Sequence, residues 1–450
     1  MAKLYEYNRI YGIVKRFVIF TFRQYYGEFV INGKENIPAG GPVIYTSNHT
    51  NALMDPLAIM SVVPPRTPVV YLARSDYFHN RWIRKLMLYF KILPAFRIRE
   101  GIGNVDKNYE VFNRCLEVLL HNKPVGIMPE GSQGFTKQIR QLVKGTFRIA
   151  FAAQQTYGLQ PGVKIVPIGI DLEDFEKFGK RIIINIGEPI EVADFMPDYQ
   201  KNPAIGLNRL REKLRQDLID LTLHIPSQRY YDTIETAAEV ANESISRLFN
   251  VLNDTISRFK VKQKIASHLL DLENRRPDVV MQLEKTCNDY RRQLLKLHLP
   301  NWVFDQPNGI SRLKMSGLVV ALMITFPVFF PGLLVNMMPF FGPDLLIKLF
   351  KLHLPGGLSS LRFGLGILIF PLAYFIQAWL IYKKFELSIW QFLILLPLQF
   401  ILGKFAFRWY QYFQRVGMML RFKHLQRRSS EGFNQTVELH NEICRLVMSA

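Results

Sequence analysis

The chain has 450 residues, 49% of them hydrophobic and 13% aromatic, and its 57 lysines and arginines against 37 aspartates and glutamates give a net charge of +20. This length has room for more than one domain, and the composition excludes a disordered chain. A chain with this positive charge is expected to bind an anionic partner, either nucleic acid or the anionic face of a membrane. No zinc-finger or RNA-binding pattern occurs, and the apolar segments described below favour the membrane.

Residues 1–27 mix aromatic, aliphatic and basic side chains, with apolar residues at helical spacing around Lys15, Arg16 and Arg23. This pattern predicts an amphipathic helix in the membrane interface, with its cations toward phosphates. A packed core helix is the alternative. The same cations interrupt every apolar run, so no signal peptide is expected.

Residues 28–223 alternate between short apolar runs and helical patterns. This alternation predicts an α/β sheet with helices on its faces. The predicted strands are 41–46, 67–72, 124–128, 164–170 and 181–186, and the predicted helices are 56–63, 82–89, 107–120, 145–157 and 207–223.

Residues 224–300 carry helical periodicity with many charges and a break at Pro277. They predict a helical hairpin, an accessory region without chemistry.

The region 310–410 is predicted to be transmembrane, because it holds three charge-free stretches at 315–343, 363–382 and 387–403. The first two have the roughly 20 residues that a spanning helix needs, and the third is marginal. The basic tail, 411–450, is expected to be cytoplasmic. The region 28–223 is expected on the same face, so we predict a multi-pass protein with two crossings and one re-entrant or interfacial segment.

The block SNHTNALMDP follows the first predicted strand and contains His49 and Asp55. A carboxylate beside an imidazole fixes the ring tautomer, so that the other ring nitrogen can take a proton from an alcohol. The pair needs a loop between strand and helix, since six residues apart on one helix would face different sides. The alternative for Asp55 is a helix N-cap before Pro56.

Two further blocks have side chains or turns suited to anions. Arg97 and Arg99, in PAFRIREG, suit bidentate phosphate recognition, although a solvated strand edge is the alternative. The MPEGSQG block follows a strand, and its glycine-bearing turn presents N–H groups for a phosphate or an oxyanion. Glu130 stands where a serine-hydrolase elbow needs glycine, so Ser132 is not expected to be a nucleophile.

Two residues near the predicted strand 164–170 complete the candidates. Lys144 precedes the helix 145–157 and adds positive charge for a phosphate or coenzyme A. Pro167 lies within a run that is most simply a buried strand.

Taken together, these four ordered blocks resemble the PlsC-type superfamily of glycerol-3-phosphate and lysophosphatidate acyltransferases, over roughly residues 28–220. Five residues separate His49 from Asp55 where the family usually has four. The motif NHTNALMDP is more similar to that of the branch of fungal glycerol-3-phosphate and dihydroxyacetone-phosphate acyltransferases. The resemblance implies a mixed α/β sheet flanked by helices, followed by a helical region and C-terminal transmembrane helices.

The resemblance also implies roles for individual residues. His49 would be the general base and Asp55 its orienting partner. Gln133 stands where the family commonly has an arginine, so we expect Arg97 or Lys144 to supply that charge. Phe96 and Arg99 match the second motif, which holds the acceptor phosphate in the family. The third motif is matched by Glu130, Gly131 and Ser132. Pro167 matches the fourth motif, which is linked to binding of the acyl donor.

The activity that the resemblance implies is transfer of a fatty acyl group from acyl-CoA or acyl-ACP to glycerol 3-phosphate, in phosphatidic acid and phospholipid synthesis. The expected partners are membrane lipids and these substrates, not nucleic acid. Neither a metal nor a redox cofactor is expected. The same chemistry on 1-acyl-glycerol 3-phosphate or dihydroxyacetone phosphate is an alternative, and a non-catalytic lipid-binding scaffold is an alternative of another class.

Overall fold

The computed structural model describes residues 4–95, 105–157, 162–305, 312–352 and 357–449. They form two compact units. The first comprises Met1–Pro226 with Leu354–Ser360, and the second comprises Ser227–His353 with Leu361–Ala450.

The first unit contains a mixed sheet in the order β1-β7-β6-β2-β5-β3-β4, with β8 paired to β6. β2 is parallel to both β5 and β6, whereas β6 and β7 are antiparallel. The predicted mixed α/β fold is therefore confirmed. The strands are β1 Glu28–Asn32, β2 Val43–Ser47, β3 Val70–Arg74, β4 Ile92–Ala95, β5 Val125–Ile127, β6 Lys164–Leu172, β7 Arg181–Ile186 and β8 Ile190–Glu191.

The central strands read as continuous apolar runs because helices cover both faces of the sheet. Every residue of β2 is buried, and so is every residue of β6 after its first. Phe147 and Phe151 of α5 pack in the same core as Ile44 and Ile165. The helices are α1 Arg9–Tyr25, α2 Met54–Val62, α3 Arg81–Tyr89, α4 Val105–Leu120, α5 Gly145–Tyr157, α6 Met196–Lys201 and α7 Pro203–Leu221.

Three strands were not predicted: β1, β4 and β8. β4 has four residues and includes Pro94, which lacks the N–H that a ladder needs. β1 and β4 lie at the two ends of the sheet, and β8 has only two residues. Edge strands of this kind carry little apolar periodicity.

Helix α1 packs one face into the first unit and exposes the other. Tyr11, Phe22 and Tyr25 are buried, whereas the opposite face exposes apolar residues. The prediction that the cations of this helix point toward phosphates is wrong for Lys15, because Lys15 is buried and its Nζ donates to the carbonyls of Pro64 at 3.2 Å and Thr67 at 2.8 Å. Burial also lowers the pKa of Lys15 to about 8.

In the second unit, the predicted hairpin over 224–300 is instead three helices. The predicted break is found, since α9 ends at Arg275 and α10 begins at Pro277. The missed signal is Asp254, whose side chain accepts from the N–H groups of Ile256 and Ser257 and begins α9. The helices are α8 Tyr231–Leu248, α9 Thr255–Arg275, α10 Pro277–Leu297 and α14 Glu431–Ser449.

Three long helices are apolar enough to cross a membrane: α11 Arg312–Leu349, α12 Leu358–Lys384 and α13 Ile389–Arg428. They lie in the second unit except for residues 358–360 of α12, which belong to the first. The 40 residues of α13 extend roughly 60 Å. The predicted boundary between a membrane region and a tail at 410 thus falls inside one helix, and α14 packs on α10 and α8. The number of crossings stays a prediction.

Candidate active site

The candidate residues after β2 and β5 lie at one edge of the sheet. The two strands are parallel neighbours, with Thr46 opposite Ile127, so their carboxyl ends coincide. His49 follows β2 by two residues and Glu130 follows β5 by three. Loops at the carboxyl ends of parallel strands are where open α/β sheets bind ligands.

His49 and Asp55 are brought together by the loop between β2 and α2. His49 Nδ1 lies 3.0 Å from Asp55 Oδ2. Asp55 is fully buried, whereas 18% of the His49 side chain is exposed. An ionised carboxylate only accepts hydrogen bonds, so Nδ1 is the donor and Nε2 retains its lone pair. The ring therefore presents a proton acceptor opposite its carboxylate.

The alternative of an N-cap at Asp55 does not describe this geometry. The N-cap position of α2 is Leu53. Asp55 Oδ2 instead accepts from the N–H groups of Thr50 at 2.8 Å and Asn51 at 2.7 Å, in the loop before the helix. Three donors thus converge on one oxygen and fix the carboxylate against the imidazole.

Asn48 anchors the same loop to the sheet and was not predicted. Its side chain accepts from the N–H of Ile170 at 2.8 Å and donates to the Ile170 carbonyl at 2.9 Å. The residue before His49 is therefore bonded to the backbone of β6. Asn48 and Ile170 are 122 residues apart in the chain, and they meet because β2 pairs with β6.

Glu130, three residues after the neighbouring strand β5, contacts the His49 backbone. Its buried carboxylate accepts from the His49 N–H at 3.1 Å and from Arg140 Nε at 2.6 Å. Burial raises the pKa of Glu130, while Arg140 and the His49 N–H act in the opposite direction. The role of Glu130 here is to hold the backbone of the histidine.

Arg140 is the second residue that was not predicted. Besides Glu130, it donates to Ser132 Oγ at 2.9 Å and to the Gln133 carbonyl at 2.8 Å. It also donates to the carbonyls of Ser132 and His49. A guanidinium thus lies against the turn in which Gln133 stands where the resembled family commonly has an arginine, and its donors are engaged by the turn, Glu130 and the His49 carbonyl.

The turn at Gly131 uses part of its own hydrogen-bonding capacity. Gly131 has a φ of +68° and its N–H donates to Met128 O at 3.2 Å. The Gly134 N–H donates to the His49 carbonyl at 3.0 Å. These two donors therefore stabilise the turn and the His49 loop rather than pointing at a ligand. Ser132 is exposed.

The other predicted residues have different positions. Lys144 is exposed just before α5, next to Val143, whose N–H donates to the Pro129 carbonyl at 2.7 Å. Pro167 is buried in β6 opposite Thr46 of β2, so it belongs to the sheet beneath the site. Phe96, Arg97 and Arg99 lie outside the described residues.

Among the described residues, no group of three or more histidine, cysteine or acidic side chains is placed to hold a metal ion. The three cysteines are buried and unpaired by disulfides. The chemistry that the site offers is proton transfer at His49, backed by Asp55 and the Glu130 contact.

Comparison with known proteins matches residues 28–171 to the family model described as Acyltransferase. Glycerol-3-phosphate O-acyltransferase 1 of Saccharomyces cerevisiae is 26% identical over 238 residues, 50% of this chain and 29% of the yeast protein. A 1-acyl-sn-glycerol-3-phosphate acyltransferase of Borreliella burgdorferi is 25% identical over 43% of this chain and 68% of that protein.

The match to the yeast relative thus spans less than a third of that protein's length. Among solved structures, the lysophosphatidate acyltransferase PlsC of Thermotoga maritima aligns with a TM-score of 0.34 and 17% identity, over 47% of this chain and 80% of that one. The matched region, 28–171, contains the strands and loops that carry His49, Asp55, Glu130 and Arg140. Residues 28–171 thus match the Acyltransferase family model, and the likeness to the yeast protein agrees with the predicted resemblance to the fungal branch of the PlsC-type superfamily.

Proposed function

We propose that the protein transfers a fatty acyl group from an acyl thioester, acyl-CoA or acyl-ACP, to a hydroxyl of glycerol 3-phosphate. The observation that carries the proposal is the 3.0 Å contact of His49 Nδ1 with a fully buried Asp55, which leaves Nε2 as a base on a partly exposed ring. A scaffold protein would have no need of a carboxylate held by three donors beside an exposed imidazole.

In the proposed reaction, His49 Nε2 takes the proton of the acceptor hydroxyl as its oxygen attacks the thioester carbonyl carbon. The carbon–sulfur bond then breaks, and the thiolate leaves with the proton that the imidazolium returns. Asp55 stabilises the imidazolium formed between the two steps. Glu130 and Arg140 keep the backbone of His49 fixed, so that the base stays aligned.

The choice of glycerol 3-phosphate rests on the yeast relative, which is named for that acceptor. The B. burgdorferi relative, named for 1-acyl-sn-glycerol 3-phosphate, favours that acceptor as a second candidate. In either case we propose that Arg99 binds the acceptor phosphate. Ala95, the last described residue before it, ends β4 at the same edge of the sheet as β2.

We further propose that the reaction takes place at a membrane. Both the acyl chain and the product partition into lipid, so a site beside the bilayer avoids extracting them into water. The helices α11, α12 and α13 expose apolar side chains along most of their length, as lipid contact requires. Two crossings, with the catalytic region on the cytoplasmic face, remain the proposed arrangement.

The test is an acyltransferase assay on purified full-length protein with labelled acyl-CoA and three acceptors: glycerol 3-phosphate, 1-acyl-glycerol 3-phosphate and dihydroxyacetone phosphate. His49→Ala is expected to lower turnover about 10²–10⁴-fold, the usual contribution of a general base. His79→Ala, an exposed histidine of the same unit, is the matched control and should keep full activity. Undiminished turnover in His49→Ala would remove the mechanism, and no turnover with any acceptor in the wild type would favour the scaffold.

A further inference from the structure

Asn51, in the middle of the His49 loop, is fully buried and binds two serines that lie far along the chain. Its Nδ2 donates to Ser359 Oγ at 2.7 Å, and its Oδ1 accepts from Ser360 Oγ at 2.6 Å. Ser360 Oγ also accepts from the Leu53 N–H at 2.9 Å. The loop that carries the candidate base is thus bonded at two of its residues to one serine pair, Ser359 and Ser360.

Each hydroxyl of the serine pair both donates and accepts a hydrogen bond. Ser360 accepts from Leu53 and donates to Asn51, while Ser359 accepts from Asn51 and donates to the Phe175 carbonyl at 2.8 Å. The second hydrogen of the Asn51 amide reaches the same Phe175 carbonyl at 3.1 Å. This pattern fixes the orientation of the amide, since exchanging its oxygen and nitrogen would break several bonds.

The serine pair belongs to the first turn of α12, which begins at Leu358, and it is part of the first compact unit. Both side chains are nearly fully buried. Their hydroxyls bond to the loop and to Phe175, not to the N–H groups of their own helix, so they do not cap α12. They also lie outside residues 28–171, the part matched by the family.

We propose that Ser359 and Ser360 are positioning residues for the His49–Asp55 pair, so that the start of a membrane-capable helix completes the candidate active site. The path is short. Ser360 and Ser359 hold the Asn51 side chain, and the Asn51 N–H is the 2.7 Å donor to Asp55 Oδ2 that orients the carboxylate toward His49. The inference rests on the proposed function, because it concerns the alignment of that base.

The experiment compares Ser360→Ala, Ser359→Ala and Ser360→Thr in the purified full-length protein. Loss of a loop contact that displaces the base by a fraction of an ångström is expected to lower kcat on the order of 10- to 100-fold, with both KM values nearly unchanged. Ser360→Thr keeps the hydroxyl and should recover most of the loss. Ser316→Ala, on an exposed position of α11, is the matched control and should be silent.

Hydrogen exchange separates a local effect on the loop from partial unfolding. In Ser360→Ala, exchange in peptides spanning residues 49–55 should rise on the order of tenfold, while peptides from β6 and α5 stay protected. Unchanged exchange in residues 49–55 overturns the proposal whatever the turnover, and so does a wild-type kcat when exchange rises. If His49→Ala keeps full turnover while Ser360→Ala loosens the loop, the proposed function fails and the serine contact stands.

Discussion

Buried polar side chains serve opposite purposes in two regions of the molecule. In the His49 loop, the His49 ring nitrogen and the N–H groups of the next two residues converge on one carboxylate oxygen, and the imidazole stays partly exposed. Among α11, α12 and α13, the buried polar side chains Asn336, Tyr374 and Gln399 bond to each other and to backbone carbonyls. The first arrangement presents a reactive group, and the second ties helices together.

The helical arrangement is a packing device. Asn336 donates to the carbonyl of Gln399 at 3.2 Å, and Tyr374 donates to Asn336 Oδ1 at 2.6 Å. The helices approach closely because Gly403 lies opposite Asn336, where a Cβ would fall 2.4 Å from Asn336 Oδ1. Small residues and amide bonds of this kind are typical of helix association in membranes. The chemistry therefore lies in the loops of the sheet, and the polar group among the helices serves packing.

Among variants that keep His49 and Asp55, the largest effect on turnover is expected for Arg140→Ala. The change leaves the buried Glu130 carboxylate without its cation, which costs about 3 kcal/mol for a broken buried pair. It also releases the His49 carbonyl, so turnover should fall on the order of 10²-fold through misalignment of the base. Activity in membranes and the midpoint of thermal inactivation measure the two consequences.

Arg148→Ala, an exposed arginine near the start of α5, is the control for Arg140 and should leave both measurements unchanged. Arg140→Lys keeps the charge but lacks the planar fork, so it should restore stability more than turnover. Equal, small losses in Arg140→Ala and Arg148→Ala would contradict the supporting role of the Arg140 guanidinium.

The converse test is Asn336→Leu among the apolar helices. Removing its contacts with Gln399 and Tyr374 should cost about 1 kcal/mol, which corresponds to a fall of about 2–4 °C in the melting temperature. Turnover measured well below that temperature should be preserved, because the group packs helices and does not contact the site. Met337→Leu, an exposed neighbour, is the control. A loss of turnover at full stability would break the comparison.

The sequence could predict contacts between residues close in the chain, but not contacts that the tertiary fold makes between distant residues. His49 and Asp55 lie six residues apart, so one block of sequence contains both and the loop between them is short. Asn48 and the serine pair were invisible, because their partners lie 122 and more than 300 residues away and meet only through the tertiary fold. The buried strands were predicted from their apolar runs. Lys15 was misplaced because helical periodicity does not show that the carbonyls of Pro64 and Thr67 lie within reach of its Nζ.

The smallest expected effect concerns a titratable group that holds the loop leading to Arg140. His224 Nδ1 accepts from the Ile139 N–H at 3.0 Å, one residue before Arg140. Burial, with a further contribution from Arg215, lowers the pKa of His224 from 6.5 to about 4. The imidazole must be neutral at Nδ1 to accept this bond, so protonation and folding compete.

The sign of the pH dependence follows from that competition. Between pH 6.5 and about 4 the unfolded chain binds more protons at His224 than the folded one. Its contribution to stability is therefore complete above pH 6.5 and falls as the pH is lowered toward 4. His224→Asn keeps an acceptor that does not titrate, so the melting temperature should decline less between pH 7 and 5 than in the wild type. His268→Asn, an exposed histidine of α9, should retain the wild-type slope. Identical slopes for His224→Asn and the wild type would show that the Ile139 contact does not couple the Arg140 loop to pH, and the sheet region would then owe its pH response to other groups.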